Sequence, residues 1–284
     1  MITVLEAINL STEYLQKKGV ESPRLNAELL LAHILNSKRL NLYLMFDRPL
    51  NQNELNIYRE YLSRRGKREP LQYIIGSTDF FNVHLKTDTR ALIPRPETEL
   101  LVETIINLYK EQEGLNFLDI GVGTGCISIA LLKNLKNSKA VGVDLSEGAL
   151  SLAKENLLLN EIDSQCSLLK FNALDDDYSK LGKFDFVVSN PPYVSKNDFD
   201  KLEPELKNYE PRIALTDEED GMNFFKTIIK NSHQILKLKG KLFFEISPSI
   251  ASQVKELFEE NNFREINLVK DFSNHYRIIY GEKQ

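Results

Sequence analysis

From Leu115 onward, short apolar runs alternate with stretches whose apolar residues recur at helical spacing. This alternation predicts a mostly parallel sheet with helices on both faces, an α/β fold. We predict strands at about 116–121, 139–144, 166–171, 184–189, 240–246, 263–270 and 275–280, and helices at about 125–136, 146–160, 218–238 and 248–261. The last two strands are close together in the sequence, so we expect the final strand to return antiparallel.

Residues 1–75 show helical periodicity only, which predicts a small helical bundle. Thr3 with Glu6 and Asn51 with Glu54 have the spacing of capping boxes, and Ser22 before Pro23 is a further predicted helix start. The alternating run 79–86 predicts a short hairpin with Asn82 near its turn. We therefore expect a helical domain at 1–75, a hairpin linker at 76–90 and the α/β domain at 91–284.

Composition narrows the class of protein. The net charge of −5 combines a slightly basic N-terminal part with an acidic remainder, a split that indicates either an acidic or ribosome-associated partner or only solvated surface. Cys126 and Cys166 are far apart with no Cys-x-x-Cys, so neither a metal site nor a disulfide framework is expected. No segment is apolar for long enough to span a bilayer, and we expect a cytoplasmic monomer without membrane association.

A glycine-rich loop follows the first predicted strand of the α/β domain. Gly121, Gly123 and Gly125 allow a tight turn and a close approach of the backbone to a ligand. A dinucleotide fingerprint would need its third glycine at the position of Cys126. Asp119 would also repel bound phosphates, so the loop suits a cationic nucleoside without phosphates better than a pyrophosphate.

Asp144 ends the second predicted strand, at the distance from the glycines where a carboxylate accepts the hydroxyls of a ribose. The alternative is a capping residue for the helix that begins near Ser146. The glycine loop favours the ribose.

The run Asn190-Pro191-Pro192-Tyr193 follows an apolar strand and predicts a rigid loop at its carboxyl end. The Asn190 side-chain oxygen and the Pro191 carbonyl could accept both hydrogens of a planar NH₂ group, and Tyr193 could stack on that group. Two fixed acceptors would position a poorly nucleophilic nitrogen for transfer. The alternative is a simple proline turn, which would leave these side chains without a shared role.

Together these motifs resemble the class I S-adenosylmethionine-dependent methyltransferases, and more narrowly the peptide chain release factor glutamine methyltransferases of the HemK type. The resemblance covers nearly the whole chain and is strongest at 68–76, 92–100, 117–125 and 188–193. The Pro-Arg-Pro-Glu-Thr run at 94–98 narrows the family, although such a run is also what a proline-started helix needs. An Asn-Pro-Pro-Tyr loop alone is shared with amino-methyltransferases of nucleic acids.

The resemblance implies a helical domain that grips the release factor, a hairpin linker and a seven-stranded Rossmann-like methyltransferase domain. It implies transfer of methyl from S-adenosylmethionine to the glutamine amide nitrogen of a Gly-Gly-Gln motif. Its catalytic residues would be Asn190, Pro191 and Tyr193, with Pro192 adding to substrate binding. The residues implied to bind the cofactor are Asp119, Gly121, Val122, Gly123, Thr124, Gly125, Asp144, Asn172, Ala173 and Asn190.

The sequence departs from the family pattern near the adenine, where Asn172-Ala173 replaces an acidic residue followed by a bulky one, and Asp175 is the alternative contact. Glu245-Ile246-Ser247 replaces Glu-Ile-Gly, and 271–277 also deviates. The first hypothesis is release-factor methylation without direct contact to nucleic acid. The alternatives are a DNA or RNA amino-methyltransferase, for which a basic groove would be expected, and a translation protein that binds the cofactor without turnover.

Overall fold

The structure, a computed structural model, describes residues 2–284. The chain divides into two compact units. The first extends to Ser77 and also contains Glu203–Tyr209, whereas the second contains Thr78–Leu202 and Glu210–Gln284. Within the described residues, no helix is long and apolar enough to cross a membrane.

The first unit is helical. Its segments up to Ser77 are α1 (Val4–Lys17), α2 (Pro23–Ile34), a 3₁₀ turn (Arg39–Leu44), α3 (Gln52–Gly66) and α4 (Leu71–Ile75). The capping boxes predicted at the starts of α1 and α3 are confirmed. The predicted helix start at Ser22-Pro23 is confirmed, since Pro23 is the first residue of α2. Ser22 does not cap the helix, however, because its backbone is left-handed and its side chain makes no capping hydrogen bond. Buried apolar residues such as Ile8, Leu30 and Tyr58 form the core of this unit.

A short hairpin and the strands of the large sheet follow the N-terminal helices in the sequence. The hairpin strands are β1 (Ser77–Phe80) and β2 (Val83–Lys86). The strands of the large sheet are β3 (Asn116–Ile120), β4 (Lys139–Asp144), β5 (Cys166–Lys170), β6 (Phe184–Ser189), β7 (Leu236–Glu245), β8 (Phe263–Lys270) and β9 (Tyr276–Lys283).

Within residues 2–284 the large sheet has seven strands in the order β5-β4-β3-β6-β7-β9-β8. Strand β9 is antiparallel to both of its neighbours, and the other pairs are parallel. The predicted mostly parallel sheet with an antiparallel last strand is confirmed. The strand order reverses around β3, and ligands of open α/β sheets bind at the carboxyl ends of the strands that flank such a reversal.

The remaining helices are α5 (Pro96–Tyr109), α6 (Cys126–Asn134), α7 (Glu147–Leu159), α8 (Lys196–Phe199), α9 (Pro204–Tyr209), α10 (Asn223–Ile235) and α11 (Ala251–Glu260). All except α9 lie in the second unit. Side chains of β6 alternate between the two faces of the sheet, because successive residues of a strand point in opposite directions. Phe186 packs in the cluster that contains Leu101 of α5, and Val187 packs in the cluster that contains Phe225 of α10.

Candidate active site

A cavity of about 420 Å³ lies in the second unit at the carboxyl ends of β3, β4 and β6, within the roughly 300–1,000 Å³ that small-molecule sites occupy. In the β3–β6 pairing Ile120 is opposite Ser189, and the Ser189 hydroxyl donates to the Ile120 carbonyl at 2.7 Å. The residues that follow these two strands are therefore held side by side. This register brings the glycine loop and the Asn-Pro-Pro-Tyr loop together.

The glycine loop forms one wall of this cavity. Gly121 and Gly123 line it with backbone φ angles of 78° and 53°. A Cβ atom at Gly121 would meet nothing within 4 Å, so the absence of side chains keeps this part of the site open. Val122 and Thr124 also line the cavity. Gly125 does not line the cavity, because it packs against Ala153 and Ile129 at the start of α6.

Asp144 also lines the cavity at the end of β4. One carboxylate oxygen accepts the Gly123 backbone N–H at 3.0 Å, and the other accepts the Ser146 N–H at 2.9 Å. Burial raises the pKa of Asp144, and these backbone hydrogen bonds oppose that rise. Because an ionised carboxylate has about four acceptor positions, the side chain can hold the loop and still accept ligand hydroxyls. The open glycine cradle beside this acceptor fits a nucleoside.

Asp119 is placed differently from the other predicted cofactor residues. It is fully buried outside the cavity wall, where the Ser128 hydroxyl of α6 donates to its Oδ2 at 2.7 Å. Its Oδ1 has no hydrogen-bond partner among residues 2–284. Burial raises its pKa to about 7. The side chain thus connects β3 to α6 and leaves one buried acceptor unused.

The adenine-side prediction named Asn172, Ala173 or Asp175. Asn172 and Ala173 line the cavity, together with Phe171 and Leu174. Asp175 does not line the cavity, and its Oδ2 accepts a hydrogen bond from the Asn172 side-chain nitrogen at 2.7 Å.

Asn190, Pro191 and Pro192 line the cavity opposite the glycine loop. Tyr193 is partly buried outside the cavity wall and packs against the core cluster that includes Phe225. Burial raises its pKa to about 12.

The backbone after Tyr193 is tightly packed. The Val194 N–H donates to the Leu215 carbonyl at 3.0 Å. A Cβ at Gly221 would lie 2.4 Å from the Tyr193 carbonyl oxygen, so only glycine fits at that position. These contacts restrict the conformation of the loop.

The run at 94–98 has a structural role that the sequence did not reveal. Thr98 is 2% exposed, and its hydroxyl donates to Glu245 Oε2 at 2.6 Å. The Asn190 side-chain nitrogen in turn donates to Thr98 Oγ1 at 3.2 Å. Burial raises the pKa of Glu245 to about 7, with the Thr98 hydrogen bond opposing the rise. A glutamate at the end of the buried run Leu242–Glu245 was the available signal, because carboxylates are rarely buried without a partner.

A second buried carboxylate fixes the segment before α5. Glu210 accepts the Ile93 backbone N–H at 3.2 Å and pairs with Arg95. Ile93, Pro94 and Arg95 line the cavity. Glu210 therefore holds this wall in place.

Several relatives of this chain have the same name. A release factor glutamine methyltransferase of Fusobacterium nucleatum is 42% identical over 282 residues, which cover 98% of this chain and 78% of that protein. The enzyme of the same name from Rhodopirellula baltica is 36% identical over 289 residues, covering 99% of this chain and 96% of that protein. The corresponding protein of Caulobacter vibrioides is 33% identical over 284 residues, covering 99% and 97%.

Family models match separate parts of the chain. Residues 6–76 match the PrmC N-terminal domain, and 96–204 match the methyltransferase small domain. Residues 170–278 also match the Eco57I restriction-modification methylase model.

Solved structures with the same fold are more distant in sequence. A methyltransferase from Pyrococcus furiosus superposes with a TM-score of 0.53 at 17% identity, over 72% of this chain and 90% of that one. The T. thermophilus 16S rRNA methyltransferase RsmC, solved with AdoMet and guanosine, has a TM-score of 0.53 at 18% identity, over 73% and 50%. At this identity the likeness shows the fold alone. The near full-length relatives show more: this chain belongs to the release factor glutamine methyltransferase family, a group of S-adenosylmethionine-dependent enzymes.

Proposed function

We propose that this methyltransferase acts on the side-chain amide nitrogen of the glutamine in the Gly-Gly-Gln motif of peptide chain release factors. The observation that carries the proposal is the placement of Asn190 on the cavity wall, with its side-chain N–H donating to the Thr98 hydroxyl oxygen. The amide oxygen of Asn190 is then left to accept a hydrogen bond from the substrate. A second acceptor, the Pro191 carbonyl, follows it on a backbone stiffened by Pro192.

Two fixed acceptors suit a primary amide, because its NH₂ group has two hydrogens to donate. An amide nitrogen is a weak nucleophile whose lone pair is delocalised into the carbonyl. Asn190 and Pro191 would orient that nitrogen and stabilise the charge that develops on it as it bonds to carbon. Stacking of Tyr193 on the planar amide stays a proposal that rests on its position after the two prolines, because its side chain lies outside the cavity wall.

We propose that the cofactor binds along the glycine loop. Asp144 would accept the ribose hydroxyls, and Gly121 and Gly123 would let the backbone approach the ligand closely. Asn172 and Ala173 would lie along the adenine. When bound, S-adenosylmethionine supplies an electrophilic methyl group.

The first unit is proposed to hold the release factor. It carries a groove of about 300 Å³ lined largely by apolar side chains of α1 and α3, including Leu10, Tyr14, Leu55 and Leu62. Leu10 is largely exposed there. An exposed apolar groove of this kind is typical of a surface that binds another protein.

One observation favours a second candidate, a DNA or RNA amino-methyltransferase. The Eco57I methylase model matches residues 170–278, which include the Asn-Pro-Pro-Tyr loop. The net charge of −5 opposes this candidate, because proteins that bind nucleic acids neutralise phosphates with basic patches.

A substrate panel separates the two candidates. The purified protein is incubated with labelled S-adenosylmethionine and, in separate reactions, with release factor, release factor whose Gly-Gly-Gln glutamine is replaced by alanine, ribosomal RNA and DNA. The proposal predicts label on the unaltered release factor only. Label on RNA or DNA but not on the release factor would favour the second candidate.

A further inference from the structure

We propose that Glu245, together with Thr98, is a positioning residue that fixes which end of the Asn190 carboxamide faces the methyl acceptor. This inference rests on the proposed function, in which the Asn190 oxygen accepts a hydrogen from the glutamine amide. Neither Glu245 nor Thr98 is part of the Asn-Pro-Pro-Tyr loop. Their role comes from a chain of hydrogen bonds that joins three separate elements.

The series of hydrogen bonds starts at Glu245 at the end of β7, passes through Thr98 at the start of α5 and ends at Asn190 in the loop after β6. Glu245 Oε2 lies 2.6 Å from Thr98 Oγ1, and Thr98 Oγ1 lies 3.2 Å from Asn190 Nδ2. Glu245 is 3% exposed and Thr98 is 2% exposed, so bulk water does not compete for these bonds. Buried hydrogen bonds of this kind hold side chains in defined orientations.

The chemistry of the three groups determines which of them donates and which accepts in each hydrogen bond. An ionised carboxylate can only accept, so the Thr98 hydroxyl must give its one hydrogen to Glu245. Toward Asn190 the Thr98 oxygen can then act only as an acceptor. The only donor in the Asn190 carboxamide is its NH₂ group, which must therefore face Thr98. The Asn190 oxygen is left for the substrate.

Protonation of Glu245 would remove this constraint, because a neutral carboxyl offers both a donor and an acceptor. Thr98 could then donate to the Asn190 oxygen, and the rotated amide would present its NH₂ to the NH₂ of the glutamine. Two donors facing each other do not bind. Activity therefore requires the ionised form of Glu245.

Several groups from the surrounding elements act on the Glu245 carboxyl. Burial raises its pKa to about 7, and the negative charge of Glu97 on α5 adds to the rise. Arg277 of β9 lowers it, as do the hydrogen bonds from Thr98 and Asn190. The phenol of Tyr193 and the thiol of Cys126 also interact electrostatically with Glu245. The constraint is therefore lost as pH falls through the neutral range.

The first test removes the Thr98 hydroxyl, which lies between Glu245 and Asn190. Thr98→Val keeps the shape of the side chain but lacks the hydroxyl, and Thr98→Ser retains it. Thr98→Val should lower kcat with release factor by about 10- to 100-fold without weakening cofactor binding, and Thr98→Ser should restore most of that loss. Thr104→Val is the matched control on the same helix, because among residues 2–284 its hydroxyl donates only to the Leu100 carbonyl. Wild-type kcat in Thr98→Val would overturn the proposal.

The second test uses pH and Glu245→Gln, which is close in shape to the native residue and does not ionise. Wild-type kcat should rise with pH through the neutral range, and Glu245→Gln should lack that step. The same step persisting in Glu245→Gln would overturn the proposal. This result decides the matter even if Thr98→Val fails to fold, and a change in thermal stability alone, with kcat and its pH profile unchanged, would show a merely structural role.

The third test does not depend on the methyl acceptor. The side-chain ¹⁵N signals of Asn190, assigned by their loss in Asn190→Ala, should shift with pH in the wild type and not in Glu245→Gln. Absence of that titration would overturn the proposal. If the wild type methylates no release factor but the signals titrate, the proposed function fails while the orientation of Asn190 by Glu245 stands.

Discussion

Asp144 Oδ2 accepts the backbone N–H of Gly123 at 3.0 Å, so the carboxylate at the end of β4 holds the glycine loop that follows β3. The two strands are neighbours in the sheet. One side chain thus shapes the cradle and lines the same cavity.

Asp144→Ala should raise the Kd for S-adenosylmethionine by about 10- to 100-fold, since hydrogen bonds to a charged group contribute roughly 1.5–3 kcal/mol. Titration calorimetry measures this change. Glu147→Gln is the control, because Glu147 begins the next helix but lies outside the cavity wall. An unchanged Kd in Asp144→Ala would show that Asp144 only positions the glycine loop and does not bind the cofactor.

Asn190→Ala should lower kcat by roughly 100-fold or more and leave cofactor affinity nearly unchanged, because the lost acceptor acts on the transferring nitrogen. Steady-state kinetics with release factor and a separate cofactor titration measure the two effects. Asn197→Ala is the control at an exposed asparagine nearby. Equal losses of turnover and of cofactor binding would mean that Asn190 belongs to the cofactor site instead.

The buried carboxyl of Asp119 should make stability depend on pH. Its pKa is about 7 in the folded protein against 3.8 for the free group, so the folded state binds the extra proton between these values. Stability is therefore lost as pH rises, and wild-type unfolding free energy should fall by about 2–3 kcal/mol more than that of Asp119→Asn between about pH 5 and pH 8.

Urea unfolding of the cofactor-free protein at the two pH values measures this difference. Asp163→Asn, at an exposed position, is the control and should follow the wild type. Parallel pH dependence in wild type and Asp119→Asn would contradict the assignment of this loss to Asp119.

Glu205 should stabilise the first unit through two arginines. It accepts from Arg65 at 3.0 Å and from Arg68 at 2.6 Å, and the Arg65 side chain is only 7% exposed. Glu205→Ala leaves Arg65 with an uncompensated buried charge and should cost about 3–5 kcal/mol in unfolding free energy. Glu203→Ala is the control, since that side chain is 71% exposed and such pairs contribute roughly 0–1 kcal/mol. Equal costs for the two variants in urea unfolding would contradict this account.

Much of the sheet could be predicted from sequence because its strands are short runs in which apolar residues are either continuous or alternate with polar ones. Strands β4, β6 and β8 have the predicted bounds. The predicted helix 218–238 and strand 240–246 have other bounds in the structure. Helix α10 begins only at Asn223, after the turn at Gly221, and β7 begins at Leu236. The strand continues through Lys239, whose φ of 62° accompanies a register irregularity against β6. Apolar spacing does not reveal such an irregularity.

The site was predictable where its residues are adjacent in sequence and not where they meet across the fold. The glycine loop and the Asn-Pro-Pro-Tyr loop carry local patterns, and both line the cavity. Thr98 meets Asn190 across 92 positions and Glu245 across 147. The assignment of Glu203–Tyr209 to the first unit likewise depends on contacts that no local pattern encodes.

Methylation of the Gly-Gly-Gln glutamine is tested by locating the transferred methyl group. Release factor is treated with the protein and S-adenosylmethionine, and its peptides are analysed by tandem mass spectrometry. We expect one methyl group on the side-chain nitrogen of the Gly-Gly-Gln glutamine. A methyl group on any other residue, with that glutamine unmodified, would contradict this expectation.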